Sequence, residues 1–175
     1  MTFASRNEKR PPMASGGSFL FGLLATALFF PPALSAEKPD VRATIIAPAR
    51  LAAGSKATVT VEMTLGTSWH VHSHSPSEKY LVPTVVTLST SAGELSPIRY
   101  PKDVEKRFSF AEKPLRVYEG TVRFETSLQL PADATGEVSL TGTLSYQACN
   151  EQQCFAPAKI PLAASFAVSA GDGAR

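Results

Sequence analysis

Cysteine is scarce in this sequence, with only two in 175 residues, Cys149 and Cys154. No Cys-x-x-Cys motif and no βαβ pattern occurs, which excludes a thioredoxin-like fold for the chain itself. A single cysteine pair without histidines next to it is also an incomplete ligand set for structural zinc. No window of about 11 residues beyond the first 36 shows helical periodicity, and no internal repeat is found. These absences leave an all-β domain with one cysteine pair.

Long apolar runs are also missing, because the run from Phe19 to Phe30 is shorter than the roughly 20 residues of a membrane-spanning helix. Basic residues precede this run, and small residues ending at Ala36 follow it, which is the pattern of a secretory signal peptide. We therefore predict a signal peptide over residues 1–36, cleaved after Ala36, and export of the remainder. An uncleaved anchor is the alternative.

Excess charge of either sign is absent from the predicted mature chain. Of the 17 basic and 15 acidic residues, three and one lie in the first 36 residues, so the remainder carries 14 of each. A neutral domain gives no electrostatic support for a nucleic-acid partner. Export would place the two cysteines in an oxidising compartment, where a pair is usually a disulfide and commonly a structural one.

Alternation with a period of two dominates the sequence from Val41 onward and predicts β-strands. The clearest strand has Ala57, Val59, Val61, Met63 and Leu65 on one face. Further strands are expected near residues 41–45, 69–72, 84–88, 95–100, 122–130, 138–146 and 160–168. We predict an immunoglobulin-like β-sandwich of about seven to nine strands over residues 37–170, followed by a flexible tail over residues 171–175.

The two cysteines flank four polar residues between two predicted strands, and therefore lie at the tip of a predicted hairpin. Facing positions of an antiparallel pair are close enough for a disulfide. Closing a loop of about six residues contributes only roughly 2 kcal/mol to stability. Because that contribution is small, the pattern favours a redox role over a structural clip, although both remain open.

The run "YQACNEQQCFAPAKIPL", from Tyr146 to Leu162, resembles the active-site hairpin of the N-terminal periplasmic domain of the DsbD family of thiol:disulfide interchange proteins. Weaker similarity extends upstream through "SWHVHSHSP" and "PKDVEKRFSFAEKPLRVYEGTVRF". The resemblance implies the same immunoglobulin-like fold and a periplasmic location for the exported chain. It also implies that Cys154 forms the mixed disulfide with a partner and that Cys149 resolves it. Four residues of the motif would shape the site: Tyr146, Gln147, Phe155 and Pro157.

The family also has a loop with an aromatic residue that covers the disulfide and moves aside for partners. Phe110 fits that role best in this sequence and Phe108 second, and plain core packing is the alternative for both. His70 and His72 stand where family members often have tyrosines, and the resemblance places them beside the cysteine hairpin. His70, His72 and His74 share one face if their strand continues, which makes them weak candidates for copper or zinc ligands.

The resemblance implies a thiol:disulfide interchange component, or protein-disulfide reductase, that needs no cofactor. Its partners would be thioredoxin-like or DsbD-type membrane redox proteins and oxidised periplasmic proteins, including a cytochrome c maturation factor. Family members usually continue into a multi-helix membrane domain and a thioredoxin-like domain, so this chain would be a stand-alone form. The alternative is a non-catalytic secreted sandwich that binds a partner protein or a metal, with a structural disulfide.

Overall fold

The computed structural model describes residues 38–171. The predicted signal peptide over residues 1–36 and residues 172–175 of the predicted tail lie outside this range. Within it, no helix is long and apolar enough to span a membrane.

The chain folds as an immunoglobulin-like β-sandwich, as predicted. The strands in chain order are β1 Val41–Ile46, β2 Arg50–Ala52, β3 Lys56–Leu65, β4 His70–His72, β5 Val85–Thr90, β6 Glu94–Leu95, β7 Val104–Lys106, β8 Leu115–Glu119, β9 Thr121–Gln129, β10 Glu137–Tyr146, β11 Ala148–Cys149 and β12 Ala158–Ser169. Seven of these strands, among the residues described, have five or more residues. The long strands therefore match the predicted number, and the additional ones are segments of two or three residues.

The strands form three hydrogen-bonded sheets. The first has the order β1-β3-β9-β6, the second β2-β12-β10-β5 and the third β11-β4-β8-β7. All pairings are antiparallel except that of β12 with β2. The third sheet is small and built around β4, and it contains Cys149.

The core forms where the alternating apolar faces of the long strands meet. In β3 the side chains of Val59, Val61 and Met63 are fully buried, as the alternation predicted. They join Phe124 of β9 and Leu140 of β10 in one apolar cluster. The fold is thus stabilised by apolar burial that does not involve the cysteine pair.

One strand prediction was wrong over most of its length. The segment 95–100 forms only the end of β6 and an isolated bridge from Arg99 to Glu125. Pro97 interrupts it, because proline has no backbone N–H to donate to a ladder.

The cysteine hairpin also differs from a simple two-stranded tip. β10 pairs with β12 as far as Tyr146 opposite Ala158, and the chain then leaves that sheet. After the single residue Gln147 it enters the third sheet as β11, which pairs with β4. The cysteine pair therefore lies at a corner where the chain passes from one sheet to another.

Candidate functional site

Cys149 and Cys154 form a disulfide bond, and their Cα atoms are 4.0 Å apart. The two residues face each other across an isolated antiparallel bridge, as the hairpin prediction required. Backbone hydrogen bonds lie on both sides of the bond: Phe155 N donates to Ala148 O at 2.9 Å, and Asn150 N donates to Gln153 O at 2.9 Å. The backbone therefore keeps the two cysteines together independently of the disulfide.

The two cysteines differ sharply in exposure. Cys149 is 0% exposed, because β11 is paired with β4 and its side chain is enclosed. Cys154 lies outside the sheet and is exposed to solvent. Since thiol–disulfide exchange requires a thiolate to reach a sulfur atom, an external nucleophile has access to Cys154 and not to Cys149.

The turn between the cysteines is fixed by Asn150. Its side-chain oxygen accepts hydrogen bonds from the backbone N–H groups of Gln152 at 3.0 Å and Gln153 at 2.9 Å. Asn150 was not among the predicted site residues. The signal was available, because asparagine frequently binds the backbone N–H two residues later in a turn.

Three of the four predicted motif residues hold the hairpin in place. Gln147 Nε2 donates to Phe155 O at 2.9 Å, which connects the two sides of the loop. The ring of Phe155 packs edge-on against Trp69, with ring centroids 5.1 Å apart, and Tyr146 is buried in the main core. Pro157 is exposed on the return side, beside the start of β12.

His72 lies against the buried cysteine. Its Nε2 is 3.9 Å from Cys149 Sγ, and its Nδ1 is 3.2 Å from Val82 O. Because a carbonyl oxygen can only accept, the proton belongs on Nδ1 and the lone pair on Nε2 faces the sulfur. Burial lowers the pKa of His72, so the imidazole is neutral.

His70 occupies the neighbouring position on the same strand face, opposite Cys149 in the β4–β11 pairing. Its ring stacks on Phe108 with centroids 4.1 Å apart, and its Nε2 is buried without a hydrogen-bond partner among residues 38–171. Burial lowers the pKa of His70 to about 4, although the nearby carboxylate of Glu119 acts in the opposite direction. His70 is therefore neutral at physiological pH.

The three histidines are not brought together. His74 lies beyond the end of β4, is exposed, and stacks on Tyr100 with centroids 3.6 Å apart. Across residues 38–171, the one set of His, Cys and carboxylate ligand atoms close enough to hold a metal is His72, Cys149 and Cys154, all within 4.8 Å. The structure thus places one predicted metal candidate, His72, with the two cysteines.

The two candidate covering residues occupy different environments. Phe108 is 5% exposed and packs with Leu115 and Val117 in a small separate cluster. Phe110 is 42% exposed and stacks on Phe108 with centroids 5.2 Å apart. Core packing therefore accounts for the burial of Phe108, whereas Phe110 lies at the surface.

An ionic contact links this aromatic segment to the cysteine turn. Lys106 Nζ lies 2.6 Å from Glu119 Oε1 and 3.1 Å from Glu151 Oε1, and 5.4 Å from the centroid of the Phe108 ring. Its hydrogen bond with Glu119 is the main cause of the raised pKa of Lys106. These residues were not predicted as site residues, since contacts between loops distant in sequence leave no local pattern.

A cavity of about 660 Å³ opens next to the exposed cysteine. Cys154, His72, Phe110, Tyr80 and Leu81 are among the residues that line it. Tyr80 and Phe110 are both exposed aromatic side chains. The cavity gives an approach to the disulfide from the side of Cys154 that is lined by both apolar and charged side chains.

The chain is similar to a known family and to solved structures. Residues 42–162 match the family described as "Thiol:disulfide interchange protein DsbD, N-terminal". The N-terminal periplasmic domain of ScsB from Proteus mirabilis is similar in structure, with a TM-score of 0.48, 18% identity, and coverage of 70% of this chain and 44% of that chain. The reduced N-terminal domain of DsbD from Neisseria meningitidis is also similar, with a TM-score of 0.40 and 18% identity. That match covers 66% of this chain and 82% of the DsbD domain. No curated protein matches the sequence.

Proposed function

The chain belongs to the family of the N-terminal domain of the thiol:disulfide interchange protein DsbD, and from that premise we propose that it relays electrons in the periplasm through Cys149 and Cys154. The donor would be a thioredoxin-like or DsbD-type membrane protein. The acceptors would be oxidised periplasmic proteins, such as a cytochrome c maturation factor. The observation that carries the proposal is the disulfide with one enclosed and one exposed sulfur.

The exposure difference supports the following order of the exchange steps. A donor thiolate attacks Cys154 Sγ, the bond to Cys149 breaks, and Cys149 becomes a thiol while donor and domain are joined by a mixed disulfide. A second donor thiol then attacks the mixed disulfide, so that the donor is oxidised and the domain is reduced. Towards an oxidised acceptor the steps reverse. Cys154 forms the new mixed disulfide, and Cys149 attacks it to release the reduced acceptor.

His72 gives the buried sulfur a polar neighbour during this cycle. Its Nε2 lone pair, 3.9 Å from Cys149 Sγ, is positioned to accept a hydrogen bond from the Cys149 thiol once the disulfide is open. A buried thiol without an acceptor would lose its hydrogen bond to water on leaving the solvent. We therefore assign His72 as the residue that accommodates the reduced state of Cys149.

Phe110 and Tyr80 would form the surface on which partners dock. Both rings are exposed and border the cavity next to Cys154. Phe110 is the better candidate for the movable cover, because Phe108 is held by His70 and by its own apolar cluster. Tyr146, Gln147, Phe155 and Pro157 would keep the hairpin in the shape that partners meet.

The test combines two cysteine variants that trap mixed disulfides with a measurement of the midpoint reduction potential of the Cys149–Cys154 disulfide. Cys149→Ser leaves the exposed thiol without its resolving partner and should accumulate mixed disulfides with a thioredoxin-like protein. Cys154→Ser, the matched control, should accumulate few. The potential of the unmodified pair should lie above about −300 mV, the range below which structural disulfides fall. A lower potential, or equal trapping by the two variants, would instead support the alternative of a secreted binding domain with a structural disulfide.

A further inference from the structure

We propose that the reduced site binds one Cu(I) ion through Cys149, Cys154 and His72. The three ligand atoms, Sγ, Sγ and Nε2, lie within 4.8 Å of one another in the oxidised domain. The inference rests on the proposed function in one respect: the cysteine pair must be reducible in the folded domain. A dithiol of the thioredoxin class supplies that reduction and is itself oxidised to a disulfide.

The backbone keeps the ligands close after the disulfide is opened. The hydrogen bonds from Phe155 N to Ala148 O and from Asn150 N to Gln153 O do not depend on the sulfur–sulfur bond. Two sulfur ligands around one ion lie about 4 Å apart when metal–sulfur bonds are about 2.3 Å long and the geometry is trigonal. The Cys149 side chain is enclosed and has little freedom to move. The exposed Cys154 side chain can rotate, and this rotation can supply the required sulfur–sulfur separation.

The third ligand is already oriented. In a trigonal site with bonds of about 2.3 Å to sulfur and 2.0 Å to nitrogen, those two atoms are about 3.7 Å apart. The observed distance from His72 Nε2 to Cys149 Sγ is 3.9 Å, so little movement is needed. The contact from His72 Nδ1 to Val82 O, 3.2 Å long, fixes the ring and leaves Nε2 free to coordinate. Metal-binding histidines in proteins usually have such a partner on the other nitrogen.

The number and softness of the ligands select the ion. Two thiolates and one imidazole form a soft, three-coordinate set, and thiolates favour Cu(I). Zinc would require a fourth ligand to complete its tetrahedral site. Binding converts two thiols and Cu⁺ into a dithiolate complex and releases two protons, with no change in the oxidation state of sulfur or copper. The cavity beside Cys154 provides the entry path.

A consequence follows for the relay, because a sulfur atom that holds the ion cannot attack a disulfide. Cu(I) would therefore hold the domain in the reduced, inactive state until a stronger ligand removes the ion. The occupied site would be both a copper site and a block on electron transfer.

The test uses the purified protein, reduced with a phosphine under anaerobic conditions and titrated with Cu(I) against the chromogenic chelator bicinchoninate. We expect one ion per chain, and an X-ray absorption spectrum with two sulfur ligands and one imidazole nitrogen. His72→Gln should weaken Cu(I) binding by at least about tenfold, the lower end of what losing even an outer-shell partner costs. His74→Gln, which removes a histidine that is outside the ligand group, is the matched control and should bind as the unmodified protein does.

A spectrum with sulfur ligands only, or equal affinity in the two histidine variants, overturns the proposal. If His72→Gln does not fold, the spectrum of the unmodified protein decides. Exchange with thioredoxin, measured on the metal-free protein, separates this inference from the proposed function. Exchange without Cu(I) binding refutes the copper site alone, whereas Cu(I) binding without exchange refutes the relay and leaves the site.

Discussion

Replacing Phe108 with alanine is expected to lower the free energy of unfolding by roughly 3 kcal/mol, the low end for truncating a buried aromatic residue. The side chain is 5% exposed and fills a small cluster with Leu115 and Val117. It also stacks on His70, whose unpartnered Nε2 would gain access to water in the variant. That access offsets part of the loss, so the expected cost lies at the low end of the range.

Replacing Phe110 with alanine should behave differently, because 42% of this residue is already exposed. Burial of an aromatic side chain contributes about 1.5–3 kcal/mol, so removing a ring buried by about half should cost roughly 1 kcal/mol. The same change widens the approach to Cys154, whose cavity Phe110 lines. Reduction of the disulfide by dithiothreitol should therefore be faster in Phe110→Ala.

Urea denaturation and the rate of reduction by dithiothreitol measure the two effects separately. Tyr80→Ala is the matched control, since Tyr80 lines the same cavity but is 79% exposed and should leave stability almost unchanged. A loss below about 1 kcal/mol in Phe108→Ala would refute the assignment of Phe108 to a core. An unchanged rate of reduction in Phe110→Ala would show that this ring does not cover the disulfide.

Single contacts of His70, Lys106 and Gly142 each lead to an expected outcome. Burial lowers the pKa of His70 to about 4, so the unfolded chain binds a proton more readily than the folded chain between pH 6.5 and 4. Above pH 6.5 His70 should not affect the free energy of unfolding, which should then fall by up to about 3 kcal/mol as the pH drops to 4. Denaturation of His70→Gln across the same pH range should show a smaller slope, and an identical slope would contradict this origin. Lys106→Gln should lower the free energy of unfolding by less than about 1 kcal/mol, because the ion pairs of Lys106 are partly exposed. Amide hydrogen exchange in the turn at Glu151 should nevertheless become faster, and unchanged exchange would show that the ion pair does not hold the turn. Gly142→Ala should destabilise the domain by roughly 1–3 kcal/mol in thermal unfolding, since an added Cβ would clash with the Thr87 carbonyl oxygen. A neutral result would mean that β5 shifts without cost.

Most of the long strands and the cysteine pairing could be predicted from the sequence because both are local patterns, but β8, Leu115–Glu119, was not among the predicted strands. Alternation in β3 and β9 gives their buried faces directly, and two cysteines separated by four polar residues indicate facing positions. Pro97 in the segment 95–100 already argued against a continuous strand, but the apolar residues around it favoured one.

The environment of the cysteines could be predicted only in part. The motif resemblance placed His72 near the hairpin, but the 3.9 Å contact with Cys149 depends on β11 joining β4 instead of continuing beside β12. The different burial of Phe108 and Phe110 depends on how a charged loop folds back onto His70. Such contacts join segments that are far apart in sequence, so no periodicity or spacing records them.

The passage of the chain between sheets at Gln147 has a mechanical consequence. A partner attached at Cys154, as proposed above, would be held by a short turn that is anchored in two separate ladders, β11 on β4 and β10 on β12. The exposed sulfur would therefore be anchored in two sheets at once instead of at the free tip of one.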